Sequence, residues 1–257
     1  MIHGIFDSHA HYGDTSFDED REELLAELPD RGVCGVLDIG CCLESSRNSA
    51  ALAAGHETVW AAAGYHPEHA DLCTEEGLAE IEELLARPKV VAIGEIGLDY
   101  YWPEPDRDIQ KRVFIAQLEM ARRLDKPVIL HVRDAAKDAL DILREHPVRG
   151  VMHCFSGSAE TAREVVRMGL YVGFTGVLTF KNARKPAEAC AAVPLDRLLL
   201  ETDCPYMAPV PFRGKRCWSP MIAHTAERAA EIKGIPVQEL VDAARENTLR
   251  LFGISLG

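Results

Sequence analysis

No stretch of this chain approaches the roughly 18 consecutive apolar residues of a membrane span. The N-terminus lacks the basic and apolar regions of a signal peptide, so the expected location is cytoplasmic. Positive charge is scarce: 28 Lys+Arg stand against 41 Asp+Glu, a formal net charge of −13. That balance excludes binding along a long nucleic-acid track, where affinity rests on many Lys/Arg contacts to phosphate. It does not exclude a phosphate ester as substrate, because bound cations bring their own positive charge. The eight cysteines form no CxxC pair and no zinc-finger spacing, and Cys41 and Cys42 are adjacent. Reduced thiols serving as small core residues are the expectation. Internal repeats, low-complexity tracts and linkers are also lacking.

What the chain has is apolar substance, 47% of its residues, and a length of 257 that suits one (β/α)₈ barrel. Strand-like runs recur at Gly4–Asp7, Val33–Ile39, Val59–Ala63, Val90–Ile93, Val128–Leu130, Val151–His153, Tyr171–Phe174 and Leu198–Leu200. Helical periodicity fills the gaps near 20–28, 76–85, 108–124, 135–143 and 159–168. Two further helical segments, 221–233 and 237–251, close the chain after a Pro-rich loop, 205–220. Strand and helix in alternation argue for α/β with a parallel sheet, and eight strands argue for a TIM barrel forming a single domain over residues 1–257.

Five of the apolar runs stop on a residue that can bind a metal. The residues are Asp7-Ser8-His9-Ala10-His11, Glu95, His131, His153 and Glu201-Thr202-Asp203. Strand ends in a (β/α)₈ barrel converge on one face, so four histidines and two carboxylates there suit one or two divalent cations. Asp7, His9 and His11 share a side if the strand continues, which makes Asp7 a candidate for orienting an imidazole. Glu201 and Asp203 also share a face by alternation, so one can bind metal while the other orients Arg, water or a ligand. An HxH pair alone is more often an exposed loop, and a lone His after a strand is more often a satisfied core residue. Their arrival together with Glu95 reverses both readings.

Around that set stand candidates for other roles. Asp203 is placed as general base or proton shuttle, and His66, in Gly64-Tyr65-His66-Pro67, can reach substrate or move a proton. Arg133 lies two residues beyond His131 and on its side. Asp99 reads as a turn or cap residue, Asp134 as a helix N-cap, and Ser158 as the cap of a helix whose amino end can take phosphate. Basic residues gather at Lys181, Arg184 and Lys185, and at Arg213, Lys215 and Arg216, each also readable as a solvated face. Trp102 and Trp218 fall in mouth loops, where ligand contact and ordinary packing are both open.

Taken in order, the motifs resemble the TatD-like metal-dependent deoxyribonucleases of the amidohydrolase superfamily. They are Phe6-Asp7-Ser8-His9-Ala10-His11, Gly64-Tyr65-His66-Pro67, Gly94–Tyr100, His131-Val132-Arg133, His153-Cys154-Phe155-Ser156-Gly157 and Glu201-Thr202-Asp203-Cys204-Pro205, with Asn247 and Phe252 at the close. The resemblance implies a barrel hydrolysing DNA phosphodiesters with two divalent ions. His9, His11 and Asp203 would hold one ion, His131 and His153 the other, and Glu95 would bridge them. Glu95 stands where many relatives in the superfamily carry a modified lysine. The ligand types accept Zn²⁺, Mn²⁺, Fe²⁺ or, less readily, Mg²⁺. Arg133, Arg213, Lys215 and Arg216 are the expected substrate-phosphate contacts, and no obligate protein partner is implied. The mouth loop departs from the family pattern, with Cys217-Trp218-Ser219-Pro220 where Asn and then Pro are usual. Two rivals stand beside this reading: hydrolysis of another ester or amide, such as an aminoacyl-tRNA ester or a lactone, and a catalytically silent metal-binding scaffold.

Overall fold

A computed structural model describes residues 2–256. Eight strands form one sheet in chain order: β1 (Ile5–Ala10), β2 (Val33–Ile39), β3 (Val59–Ala63), β4 (Val90–Asp99), β5 (Val128–Arg133), β6 (Gly150–Met152), β7 (Tyr171–Phe174) and β8 (Leu198–Leu200). Helices alternate with them: α1 (Arg21–Glu27), α2 (Leu43–Gly55), α3 (Glu75–Leu85), α4 (Arg107–Leu124), α5 (Ala136–Glu145), α6 (Ala159–Arg167), α7 (Arg184–Ala192), α8 (Ile222–Lys233) and α9 (Val237–Phe252). This is the (β/α)₈ order. No helix among the described residues is long and apolar enough to cross a membrane.

The chain divides into two compact units. The first takes the described residues of Met1–Leu37, Cys154–Arg167 and Tyr171–Gly257; the second takes Asp38–His153 and Met168–Leu170.

In the first unit β7 and β8 pair in parallel, Gly173 opposite Leu199. Beyond β8 the backbone reaches β1: Asp203 N donates to His9 O at 2.9 Å and His11 N to Cys204 O at 2.8 Å. α9 packs on both β1 and β8. Asn247 on α9 donates from Nδ2 to the carbonyls of Leu195 and Leu198, fixing the entry to β8. Gly173 must be glycine for packing: a Cβ there would come within 2.4 Å of the Glu201 carboxylate.

In the second unit β3, β4, β5 and β6 pair in parallel. β4 runs on to Asp99, well past the apolar run ending at Ile93. A shift of register between Ile93 and Ile96 lets it continue along β5, where Asp99 pairs with Arg133. Gly97 makes this possible, for its φ is +148° and a Cβ would lie 1.9 Å from the His131 carbonyl oxygen. α4 buries Val113, Phe114, Leu118 and Ala121 as its periodicity predicts, but also Gln110 and Gln117.

The helices α2 and α7 lie where periodicity gave no signal. α2 is rich in Ser and Ala, and what it buries is small: Ser46, Ser49, Ala50 and Ala53. Asp134 is not the cap of α5, since Ala135 occupies that position without a side-chain bond and Asp134 has φ +53°. Ser158 does cap α6, accepting from Thr161 N at 3.2 Å.

Candidate metal centre

The first unit gathers His9, His11 and Asp203. His9 is fully buried at the end of β1, and His11 follows on the other side of Ala10. Their Nε2 atoms face each other at 3.1 Å, and Asp203 Oδ1 lies 3.6 Å from the first and 3.4 Å from the second. Three electron-pair donors this close are held together best by a cation. A tetrahedral ion with ligands at 2.0–2.1 Å has ligand–ligand edges of about 3.4 Å, which these three separations match. The residues present therefore fit a divalent metal. Asp203 reaches this position with φ +61°, a left-handed backbone uncommon outside glycine.

That conformation also breaks the strand alternation expected across 201–203. Glu201 turns away from Asp203's partners, accepts from Cys154 N, and sits near Ser8 Oγ at 3.4 Å. It thus fixes the backbone immediately after His153. Asp7 likewise does not orient an imidazole. Its Oδ1 accepts from Thr202 N at 3.0 Å, and its Oδ2 from Thr202 Oγ1 at 2.6 Å and Ser219 Oγ at 2.7 Å. Burial raises the Asp7 carboxyl to about 6 although these hydrogen bonds oppose the rise. Tyr12 Oη donates to Ser219 Oγ at 2.9 Å, so β1, the segment after β8 and the far end of the mouth loop meet in one buried knot.

The second unit gathers Glu95, His131, His153 and His66. Glu95 Oε1 contacts His153 Nε2, lies 2.8 Å from His131 Nδ1 and stands 3.8 Å from His66 Nε2. His131 Nδ1 and His153 Nε2 are 3.3 Å apart, again a ligand–ligand edge. Asp99 is the residue that sequence reasoning passed over. Buried at the end of β4, its Oδ2 lies 3.0 Å from His131 Nε2 while its Oδ1 accepts from Tyr101 N at 2.8 Å. The turn reading covered only the second of these bonds. A carboxylate only accepts, so Nε2 of His131 carries the proton and a neutral ring turns the lone pair of Nδ1 toward Glu95. This is the carboxylate–histidine–metal arrangement.

His66 is the same tautomer, with its proton on Nε2, but faces Glu95 from the other nitrogen. Its Nδ1 accepts from Glu68 N at 3.1 Å, so a neutral ring directs Nε2–H toward Glu95. It is a donor rather than a ligand. Burial lowers its pKa to about 3, which keeps it neutral. Burial also opposes charging of His131, but the bonds to Asp99 and Glu95 outweigh it and raise that ring to about 9, so a cation on Nδ1 would bind by displacing a proton. Cys41, expected in the core, instead brings its sulfur within 4.8 Å of a Glu95 carboxylate oxygen.

The proposed substrate cations lie apart from one another in role. Arg133 stacks on Tyr101, its guanidinium carbon 3.7 Å from the ring centre. Arg213 lies over Phe180 at 4.0 Å. Arg216 pairs with Asp20 and donates to Ser16 O, which ties the mouth loop to the start of α1. Lys215 is exposed. Arg184 pairs with Glu188 along α7, as a solvated helix face does.

Among solved structures, the TatD homologue YJJV from Escherichia coli K12 matches with a TM-score of 0.93 and 32% identity, covering 99% of this chain and 100% of that one. The chain is 43% identical over 254 residues to the metal-dependent hydrolase YabD of Bacillus subtilis, covering 98% of this chain and 100% of the relative. A (β/α)₈ fold with imidazole–carboxylate sets at its strand ends is here that of a metal-dependent hydrolase acting on ester bonds. A sequence model of the TatD-related DNase family matches residues 6–253, and the chain belongs to that family. It is also 35% identical over 259 residues to a Cronobacter sakazakii protein named 3'-5' ssDNA/RNA exonuclease TatD, covering 96% of this chain and 97% of that one.

Proposed function

We propose that this hydrolase cleaves phosphodiester bonds of DNA with two divalent cations, in the cytoplasm. The observation that carries the reading is the presence of two imidazole–carboxylate sets, His9–His11–Asp203 and Glu95–His131–His153, each with a pair of imidazole nitrogens at ligand–ligand spacing and a carboxylate beside them. Glu95 is carried over from the family as the carboxylate common to both ions. The nuclease name of the Cronobacter relative supports the choice of bond.

Cations bound at these residues supply acidification of water and neutralisation of charge on the phosphate. The chain's own residues do the rest. Asp203 Oδ accepts the proton of the attacking water. His66, fixed with its proton on Nε2 and kept neutral by burial, donates toward a substrate oxygen. Arg133 presents guanidinium N–H groups to a phosphate while one face of the group rests on Tyr101. Arg213 and Lys215 are the outlying contacts for a longer strand, with Arg216 as the loop's anchor.

An activity screen tests the reading. Metal-loaded and chelated protein are assayed on a single-stranded oligonucleotide, a small phosphodiester and a carboxylic ester. Metal-dependent cleavage of both phosphodiesters is expected. Metal-dependent hydrolysis of the ester alone would transfer the site to carbonyl chemistry, and full metal binding with no hydrolysis would leave a scaffold.

A further inference from the structure

Tyr101 and Trp102 lie just beyond β4, separated by one residue from its end at Asp99, and are 54% and 50% exposed. Aromatic side chains of this size usually bury their rings, so half-exposure of two neighbours is not explained by core packing. Their rings meet edge to face, centroids 4.8 Å apart and planes at 88°. On Tyr101 lies the guanidinium of Arg133 at 3.7 Å, and Arg133 Nη1 stands 4.0 Å from Asp99 Oδ2. Asp99 in turn holds His131. The exposed rings are therefore joined, through Arg133 and Asp99, to a ligand of the second metal set.

We propose that Tyr101, Trp102 and Arg133 form a stacking ledge for an unpaired nucleobase next to the phosphate being cleaved. This rests on the nuclease reading above and adds the residues that select a single strand. A base within a duplex is already stacked and paired, whereas a free base offers its face to an aromatic ring or a guanidinium plane. The surroundings favour a base over a phosphate. Trp102 shares a surface depression with Pro103 and with the carboxylates of Glu68 and Glu104, which repel an anion. Stacking also suits a chain of net charge −13, because it adds affinity without counterion release.

The test uses chelated full-length protein, which holds strand without turning it over, and a single-stranded oligonucleotide carrying 2-aminopurine near its end. Wild type is expected to change the probe's fluorescence on binding. The double variant Tyr101→Ala/Trp102→Ala should bind about tenfold more weakly or worse and lose that change. Its slope of log Kd against log salt should be unaltered, since no phosphate contact is removed. Tyr101→Phe/Trp102→Phe should restore most of the affinity. Metal content of both variants, measured on the loaded protein, shows that the fold and ligand set survive. If wild type cleaves the oligonucleotide yet the alanine variant binds within twofold and keeps the fluorescence change, the ledge alone is overturned. If wild type neither binds nor cleaves any nucleic acid but hydrolyses the carboxylic ester, the nuclease reading falls and the ledge with it.

Discussion

Asp99 and His131 meet at 3.0 Å on the side of the imidazole that faces away from Glu95. The bond decides which ring nitrogen carries the proton, and so which one can coordinate. Asp99→Asn should therefore weaken metal binding at the Glu95–His131–His153 set by about 10- to 100-fold. The amide can still accept from Tyr101 N, so the turn should remain. Chelator competition on wild type and variant gives the affinities, and unchanged values would remove Asp99 from the metal's support.

Glu95→Gln tests the two-ion arrangement. A shared carboxylate offsets the repulsion between neighbouring cations, so its loss should lower metal content at both sets and nearly abolish turnover. Elemental analysis beside a phosphodiester assay measures both. Full occupancy with near-normal turnover would end the bridging role.

Arg213, Lys215 and Arg216 separate by what each touches. Arg216 is paired with Asp20 on a partly exposed surface, so Arg216→Ala should cost about 1 kcal/mol or less in stability. The triple alanine variant should lose kcat/KM on an oligonucleotide far more than on a small phosphodiester, because remote binding is open only to the longer substrate. Equal losses on both would make the three a solvated loop.

Gln117 accepts from Tyr65 N at 2.7 Å and donates to Tyr65 O at 3.0 Å, fixing the residue before His66. Gln117→Leu leaves both buried backbone groups without that partner, and a loss of about 2 kcal/mol in unfolding free energy is expected. Denaturant midpoints give the figure. Turnover should fall as well, through His66, with metal content retained. A variant as stable and active as wild type would show that Tyr65 is held by other means.

The strands that are apolar over all or nearly all of their length were legible to the residue: β3, β7 and β8, and β2 with Asp38 as its one charged residue, match their predicted bounds. β4 was not, because beyond Ile93 it carries Gly94, Glu95, Gly97 and Asp99, residues that look like a turn until β5 supplies the pairing. Asp99 escaped for the same reason, although its even spacing from Glu95 along one strand was a usable signal. Gln110 and Gln117 were hidden by a different cause. They lie on the buried side of α4, where only apolar residues were sought, and their value comes from backbone groups outside the helix, at Asp99 and Tyr65. The parity argument for Glu201 and Asp203 failed where the chain leaves extended geometry, at a left-handed Asp203 that no local pattern announces. Asp7 stays in an extended strand, and what the sequence hid was that Thr202 and Ser219 take up its carboxylate.

The mouth loop between Cys204 and Ser219 is pinched at its base. Cys204 pairs with Ala10, Cys217 N donates to Pro205 O at 2.9 Å, and Ser219 is bonded to Asp7 and Tyr12. Both ends of the insert thus land on one short stretch of β1, side by side. A loop with so narrow a neck behaves as an exchangeable cassette: its length, charge and aromatic content can change without displacing Asp203 or the two histidines beneath it. Substrate preference can in this way drift quickly over a metal-binding floor that stays still.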